Sequence, residues 1–210
     1  MNPIHTSQHP LLLHRVGQLR NRETPAPQFR RLVREIAQLL FWEASRDLAV
    51  ESYTVATPLA DCSAQRLQQR IGLVPILRAG LGMADAIVEL VPEAQVWHLG
   101  LYRDHKTLQP ITYYNKLSAH TRLDVCYVVD PMLATGGSAV AALGILKDWN
   151  IRALRFLAII AAPEGVRVLQ KAHPDVPIYL GALDSHLNEH SYIVPGLGDA
   201  GDRQFGTVTE

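Results

Sequence analysis

Five short apolar runs, separated by segments of helical composition, constrain the fold of this chain most strongly. The runs cover residues 71–77, 95–102, 124–130, 154–162 and 176–183. Segments such as "GMADAIVELV", "SAVAALGILKDW" and "EGVRVLQKA" lie between most of them. Continuous apolar strands that alternate with helices are typical of a parallel sheet covered on both faces, because each crossover places a helix on a face. The pattern therefore predicts an α/β fold with a central parallel sheet of about five strands flanked by helices.

Segments outside the predicted sheet complete one domain over residues 1–210. Residues 1–48 are predicted to be helical, with Thr24 as a cap, an early proline and apolar residues at helical spacing as far as Asp47. The stretch "VESYTVATPLA" alternates like a half-buried strand, and Pro58 favours either an edge position for it or an excursion from the main sheet. Residues 103–122 are polar with a β-rich centre, which predicts a loop or hairpin projecting from the sheet.

Composition excludes several classes of protein. Lys plus Arg equals Asp plus Glu at 20 each, so the chain lacks the positive surplus with which general nucleic-acid binders neutralise phosphates. Cys62 and Cys126 form no C-x-x-C pair, which argues against a thiolate zinc site and favours a reducing compartment such as the cytoplasm. No apolar run approaches the roughly 20 residues that span a bilayer, and the N-terminus lacks a signal-peptide core. We expect no nucleic-acid partner and no membrane insertion.

Charged side chains follow three of the predicted strands. Arg78 follows "VPIL", Arg103 follows "LGLY", and Asp130 follows "CYVV". Ligands of open parallel sheets bind at the carboxyl ends of the strands, so these side chains are candidates for a binding site. Arginines of this kind also occur as plain surface charges.

The stretch "VDPMLATGGS", residues 129–138, ends in two glycines just before a predicted helix. Backbone N–H groups and the helix dipole favour an anion at such a junction, most often phosphate. Thr135 and Ser138 add hydroxyl donors, and Asp130 can accept hydrogen bonds from sugar hydroxyls or lie near a metal. The loop thus favours a phosphorylated sugar, although a tight strand-to-helix turn explains two glycines equally well. A Walker A loop is excluded, because the lysine it requires is absent.

Two further patterns have more than one interpretation. "GLGDAG", residues 196–201, matches a dinucleotide fingerprint, but too little chain follows it for the helix and strand that this motif needs. The block from 195 to 206 is instead predicted to be either a C-terminal loop that approaches a flat ligand or a disordered tail. His186 and His190 would share a helix face, yet no third metal ligand is evident, which favours a surface or capping role over a zinc site.

Several segments together resemble the uracil phosphoribosyltransferase family. They are "VPILRAGLGM", "LYRD", "VDPMLATGGS", "AAPEG", "AHPDV", "LNEH" and "YIVPGLGDAGDRQFGT". The resemblance implies a type I phosphoribosyltransferase fold with a C-terminal uracil-binding hood at residues 184–210 and a projecting arm or flexible loop at residues 103–122. It also implies a pentosyltransferase of pyrimidine salvage that converts uracil and 5-phosphoribosyl 1-diphosphate to UMP and diphosphate.

Site residues follow from the same resemblance. The phosphoribosyl donor would contact Arg78, Arg103, Asp199 and the whole loop Asp130, Pro131, Met132, Leu133, Ala134, Thr135, Gly136, Gly137 and Ser138. Uracil would contact Ile193, Gly198, Asp199 and Ala200. The resemblance assigns catalytic roles to Asp130, Arg103 and Asp199. Mg²⁺ would arrive bound to the donor, with no protein ligand of its own, because Pro131 replaces the second acid found in many phosphoribosyltransferases.

The resemblance further implies a homodimer or larger homo-oligomer, and GTP as an activator, as in some relatives. Ser118 and Ser191 stand where relatives often carry proline and glycine, and residues 49–70 match poorly. Three other functions are compatible with parts of the sequence. They are a non-catalytic nucleotide-sensing regulatory protein on the same fold, an enzyme acting on another base, and a flavodoxin-like binder. The last does not explain the paired arginines or "GLGDAGD".

Overall fold

The computed structural model of the protein describes residues 4–103, 110–115, 122–151 and 153–207. The helices are α1 (Pro10–Arg20), α2 (Ala26–Ala44), α3 (Leu81–Leu90), α4 (Gly137–Asp148), α5 (Pro163–Ala172) and α6 (Ala200–Phe205). The strands are β1 (Ile4–Thr6), β2 (Val50–Ala56), β3 (Asp61–Leu67), β4 (Ile71–Pro75), β5 (Gln95–Val96), β6 (Leu99–Arg103), β7 (Pro110–Asn115), β8 (Val125–Val129), β9 (Met132–Leu133), β10 (Leu154–Ala161), β11 (Ile178–Leu183), β12 (His186–Leu187) and β13 (Ile193–Val194).

The central sheet has the strand order β1-β11-β10-β8-β4-β5, and the short β9 also pairs with β10. Its strand pairs are parallel, which confirms the predicted α/β fold. The strands β4, β5, β8, β10 and β11 lie in the five predicted apolar runs, and β1 is an additional edge strand. Because the strands are parallel, the loops after β4, β8, β10 and β11 leave the sheet at the same end.

Helices cover both faces of the sheet, and the side chains of β8 show how the two faces differ. Val125, Tyr127 and Val129 join a buried cluster with α1, α2 and α3, whereas Cys126 and Val128 join a second cluster with α4 and α5. Burial of each large aliphatic side chain contributes about 1.5–3 kcal/mol relative to exposure. The two clusters therefore fix the centre of the sheet and, with it, the positions of the strand ends.

The N-terminal helical segment differs from its prediction in two details. The N-cap of α2 is Pro25, and the hydroxyl of Thr24 donates instead to the carbonyl oxygen of Gln18 at 2.8 Å, so the predicted Thr24 cap is wrong. The helix ends at Ala44 rather than near Asp47, whose carboxylate pairs with Arg155 at 2.7 Å. Over the described ranges, no helix combines the length and the apolar content needed to cross a bilayer.

Three antiparallel pairs of strands in the described residues stand apart from the central sheet, and the shortest of them is β12 with β13. Strands β2 and β3 pair from Val50–Leu67 to Ala56–Asp61, and Pro58 lies in the turn between them. Strands β6 and β7 pair from Leu99–Asn115 to Arg103–Pro110. The predicted projecting hairpin thus begins at Leu99, because Gln95 and Val96 pair with β4 and Leu99 makes a single bridge to Ile76 before the chain pairs with β7. Residues 104–109 and 116–121 of that segment lie outside the described residues.

Candidate active site

One cavity at the carboxyl end of the sheet brings together the glycine loop, residues 130–138, and the C-terminal block, residues 195–206. It has a volume of about 440 Å³ and lies between the loop after β8 and the turn before β13. The residues that line it are Asp130, Met132, Leu133, Ala134, Thr135, Gly136, Gly137, Ser138, Ala139, His190, Ser191, Tyr192, Ile193 and Asp199. Small-molecule sites have volumes of about 300–1,000 Å³, so the cavity suits a ligand of that class.

The glycine loop has the backbone geometry that an anion site needs. Gly136 is the N-cap of α4 and has φ 84°, a left-handed conformation that favours glycine. A Cβ on Gly136 would also lie 2.9 Å from the carbonyl oxygen of Gly165. Gly137 begins the helix and has no atom within 4 Å of a Cβ position, so it leaves the space over the helix N-terminus open. The N-terminal N–H groups of α4 therefore face the cavity.

Asp130 is the charged group at the end of β8. Burial raises the pKa of its carboxyl to about 7; the Met132 N–H, which donates to Oδ1 at 3.3 Å, lowers that pKa, and the charge of Asp199 raises it. Its backbone N–H donates to the carbonyl oxygen of Leu157 at 3.1 Å. The carboxyl is thus held in place by the sheet and can change its protonation state near neutral pH.

Asn188 shapes the turn on the opposite wall of the cavity. Its Oδ1 accepts hydrogen bonds from the backbone N–H groups of His190 at 3.0 Å and Tyr192 at 2.9 Å. Its carbonyl oxygen accepts from the N–H of Ser191 at 2.9 Å. Ser191 has φ 63°, which is the left-handed conformation that glycine adopts most easily. The glycine that relatives often carry at this position therefore has a conformational reason.

A buried ion pair anchors the loop that follows β13. Asp184, at the end of β11, pairs with Arg20 of α1, and its Oδ2 accepts from the N–H of Gly196 at 2.9 Å. Arg20 also donates to the carbonyl oxygen of Gly196 at 2.8 Å. From α6, Arg203 donates to the carbonyl oxygen of Leu197 at 2.8 Å. The glycine-rich block is therefore an ordered loop and helix, and the alternative of a disordered tail is wrong for it.

Asp199 lies where this loop becomes α6. Its Oδ1 accepts from the N–H of Asp202 at 2.9 Å, so the side chain is the N-cap of the helix as well as part of the cavity wall. Ile193 also lines the cavity, whereas Gly198 and Ala200, the other two predicted uracil residues, flank Asp199 in the chain without contributing to the lining. Gly198 has φ 78°, which a glycine tolerates without strain.

Pro131 and Arg78, two other predicted site residues, do not line the cavity. Pro131 is buried beside it, and its carbonyl oxygen accepts from the N–H groups of Ile159 and Ile160 at 3.1 and 3.0 Å. Arg78 lies outside the cavity lining and against α6, with Nη2 at 3.4 Å from Oδ1 of Asp202. The side chain of Arg103 lies outside the described residues.

Histidines do not form a metal centre in the part of the chain that the structure describes. His186 lies in β12 and His190 in the turn after it, so their spacing does not place them on one helix face. The Nδ1 atom of His186 is 2.9 Å from the hydroxyl oxygen of Ser185. Within the described ranges, no group of three or more His, Cys, Asp or Glu side chains is arranged to hold a metal ion.

Sequence reasoning missed several residues of the site. His190 and Tyr192 line the cavity, and Arg20, Asp184 and Asn188 hold its walls. Asp184 follows an apolar strand just as Asp130 does, so the rule for strand ends would have found it. The side chains of Arg20 and Asn188 form hydrogen bonds with backbone groups of the loops around the cavity, and no local pattern in the sequence indicates them.

Comparisons with known proteins agree with one another. The family model for uracil phosphoribosyltransferase matches residues 6–207. A Roseiflexus castenholzii protein named uracil phosphoribosyltransferase is 59% identical over 207 residues, covering 99% of this chain and 100% of that protein. The solved structure of the AQ2163 protein from Aquifex aeolicus has a TM-score of 0.92 at 34% identity, covering 99% of this chain and 100% of that chain. A hypoxanthine-guanine phosphoribosyltransferase from Bacillus anthracis shares the fold, with a TM-score of 0.51 at 13% identity over 73% of this chain and 78% of that chain.

Proposed function

This chain belongs to the uracil phosphoribosyltransferase family, and on that premise we propose that its cavity holds both substrates of the family's reaction. The enzyme is a pentosyltransferase that converts uracil and 5-phosphoribosyl 1-diphosphate to UMP and diphosphate, a step of pyrimidine salvage. The observation that carries the assignment of the site is the single cavity shared by residues 130–138 and by Ile193 and Asp199. A transfer between two ligands requires both to be held side by side.

The phosphoribosyl donor occupies the glycine-loop side of the cavity in this proposal. Its 5-phosphate lies over the N-terminus of α4, where Gly136 and Gly137 leave room for it. Thr135 and Ser138 donate hydroxyl hydrogen bonds, and Asp130 in its ionised form accepts from the ribose hydroxyls. Arg78 and Arg103 contact the diphosphate, and Asp199 contacts the donor from the opposite wall.

Uracil occupies the side formed by Ile193 and residues 198–200. One edge of uracil presents an acceptor, a donor and an acceptor, which backbone N–H and C=O groups of an ordered loop can match. Cytosine would leave at least one buried polar group unpaired, at a cost of roughly 1–3 kcal/mol. The anchoring of Gly196 by Arg20 and Asp184 supports this role, because a loop that reads a base edge must be fixed.

Displacement of diphosphate develops positive charge on the ribose and negative charge on the leaving group. Arginine side chains stabilise that negative charge, and Mg²⁺ carried by the donor would stabilise it further. The metal-binding side chains that the cavity offers suit a metal carried by the substrate. Asp130 and Asp199 are the acidic side chains in its lining, and burial favours the neutral form of Asp130.

Assembly, regulation and location are part of the same proposal. We expect a homodimer or larger homo-oligomer, supported by the apolar side chains that the β2–β3 hairpin exposes, among them Val50, Leu59 and Leu67. GTP is proposed as an activator, to be tested by adding it to the assay. The two cysteines are free, Cys62 exposed and Cys126 buried, which agrees with action in the cytoplasm.

A diphosphate-release assay tests the proposed function. Purified protein with Mg²⁺ and 5-phosphoribosyl 1-diphosphate is given uracil, cytosine, adenine or hypoxanthine, with and without GTP. We expect UMP from uracil alone, and turnover abolished by Asp130→Ala or Arg103→Ala but not by Asp175→Ala, which removes a surface carboxylate paired with Lys147. Donor binding without turnover on any base would instead favour the non-catalytic regulatory protein. The 59% identity over 207 residues to a protein named uracil phosphoribosyltransferase does not favour that function.

A further inference from the structure

Arg78 packs against the helix that follows the proposed uracil segment. Its Nη2 lies 3.4 Å from Oδ1 of Asp202, and its guanidinium carbon lies 5.9 Å from the ring centre of Phe205. A Cβ on Gly201 would lie 3.9 Å from the same Nη2, which is an ordinary van der Waals distance, so the guanidinium lies alongside the first turn of α6. Residues of α6 therefore surround one side of Arg78.

The two side chains of the Arg78–Asp202 pair differ in solvent exposure and in how firmly they are held. The Arg78 side chain is 62% exposed, whereas that of Asp202 is 15% exposed. Several bonds fix Asp202: its N–H donates to Oδ1 of Asp199 at 2.9 Å, and its Oδ1 accepts from the hydroxyl of Thr207 at 2.5 Å. A long exposed side chain loses substantial rotamer entropy when it is ordered. A fixed carboxylate beside an exposed guanidinium reduces the number of positions that the guanidinium samples before a ligand binds.

We propose that Asp202 is a positioning residue that holds the guanidinium of Arg78 ready for the diphosphate of the donor. The inference rests on the proposed contact between Arg78 and the diphosphate. Ordering of a ligand-contacting side chain before binding increases affinity, because less entropy is lost on association. Opposite charge at this distance also opposes movement of the guanidinium into bulk water.

The same contact links the two substrates in space. Asp199 caps α6 and Ala200 begins it, so the segment proposed to hold uracil is continuous with the turn that carries Asp202. The position of the Arg78 guanidinium is therefore set by the uracil-binding segment as well as by the strand that Arg78 follows. A carboxylate at 202 keeps the diphosphate contact and the base contact at a fixed separation.

The test is the substitution Asp202→Asn, which keeps the shape of the side chain and its capacity to accept a hydrogen bond from Thr207. Thr207→Val is the matched control, because it removes the hydrogen bond of the Thr207 hydroxyl to the same carboxylate oxygen and leaves the charge beside Arg78. We expect Asp202→Asn to raise the KM for the donor about 3- to 10-fold with the KM for uracil within about twofold. Thr207→Val should leave both values within about twofold of the wild type.

A double-mutant cycle with Arg78→Ala separates positioning from a general loosening of α6. If Asp202 acts through Arg78, the double variant Arg78→Ala with Asp202→Asn has the same donor KM as Arg78→Ala alone. The inference is overturned if the two effects multiply, or if Thr207→Val raises the donor KM as much as Asp202→Asn. It is also overturned if Arg78→Ala raises the donor KM while Asp202→Asn does not. A wild-type donor KM in Arg78→Ala would remove the proposed role of Arg78 itself, and this inference with it.

Discussion

The carbonyl oxygen of Ala134 occupies the space that a side chain on Gly165 would need. A Cβ built on Gly165 overlaps that oxygen and lies 2.9 Å from the carbonyl oxygen of Leu133. The glycine is buried in the first turn of α5, so the helix packs directly against the backbone of the glycine loop. The shape of the loop therefore depends on a residue that does not line the cavity.

Gly165→Ala should destabilise the protein and displace the loop. Overpacking of a tight site typically costs about 1–3 kcal/mol in the free energy of unfolding. We expect a loss of that size in urea denaturation, together with a higher KM for the donor. Gly144→Ala in α4 is the control, since no atom lies within 4 Å of its Cβ position. That change should stabilise the helix by about 0.5–1 kcal/mol, and equal melting behaviour of the two variants would contradict the packing described here.

Alanine substitutions at the two neighbouring glycines of the glycine loop should have different effects on stability and on donor binding. Gly136→Ala puts a side chain at φ 84° and 2.9 Å from a carbonyl oxygen, so we expect a loss of about 1–3 kcal/mol in stability. Gly137→Ala meets no protein atom within 4 Å and should leave stability unchanged or slightly higher. Its methyl group instead enters the proposed phosphate position, so donor binding measured by calorimetry should weaken. Loss of stability in Gly137→Ala would count against this geometry.

The carboxyl of Asp130 makes stability depend on pH. Burial raises its pKa to about 7, whereas an aspartate in the unfolded chain has a pKa of about 4. Between those values the folded protein retains a proton that the unfolded chain has released, so the free energy of unfolding falls as pH rises, by at most about 1.4 kcal/mol per pH unit. Asp130→Asn should remove this component from urea denaturation series across that range. Identical pH profiles for the two proteins would show that the carboxyl ionises normally.

Donor binding should release a proton near neutral pH. Ribose hydroxyls that donate to Asp130 favour its ionised form, so a carboxyl that is partly protonated before binding loses its proton on binding. Calorimetry in two buffers with different ionisation enthalpies measures the number of protons released. We expect a release at pH 7 that disappears in Asp130→Asn. Equal binding enthalpies in both buffers for the wild type would contradict the proposed contact.

Asn188→Ala should loosen the turn that faces the glycine loop across the cavity. Its carboxamide accepts two backbone hydrogen bonds on an exposed turn, and their loss should cost about 1 kcal/mol in stability. The KM for uracil should rise, because Ile193 follows this turn, while the KM for the donor changes less. Thr57→Ala, which removes two comparable bonds to the N–H groups of Leu59 and Ala60 in the turn of the β2–β3 hairpin, should leave both KM values unchanged.

The centre of the fold is readable from sequence because its strands are apolar without interruption. Strands β4 and β8 are buried at every position, and their continuous apolar sequences indicate a sheet covered on both faces. The run 95–102 shows the limit of that reasoning. Apolar letters do not distinguish a strand that stays in the sheet from one that leaves it to pair with β7. Strand β1, with three residues, has no recognisable pattern and depends on its pairing with β11.

The site is readable only where chemistry coincides with a strand end. Asp130 and the two glycines after it stand out locally, and the cavity includes them. The anchoring of Gly196 depends on Arg20, 176 residues away in the chain, and on Asp184. Such partners are chosen by the tertiary fold, so no window of sequence contains them. The left-handed conformation of Ser191 is likewise imposed by Asn188 and is not favoured by serine itself.

Asp199 caps α6 and also lines the cavity, and the choice of substitution decides which of these two properties a kinetic experiment reports. Alanine at this position would remove the cap of a six-residue helix, so α6 would fray and every group that it carries would move. A drop in turnover would then combine the loss of the proposed substrate contact with the displacement of neighbouring residues of α6. Asparagine preserves the cap while it removes the charge. In this enzyme an alanine scan of the C-terminal block therefore overstates the chemical importance of its acids.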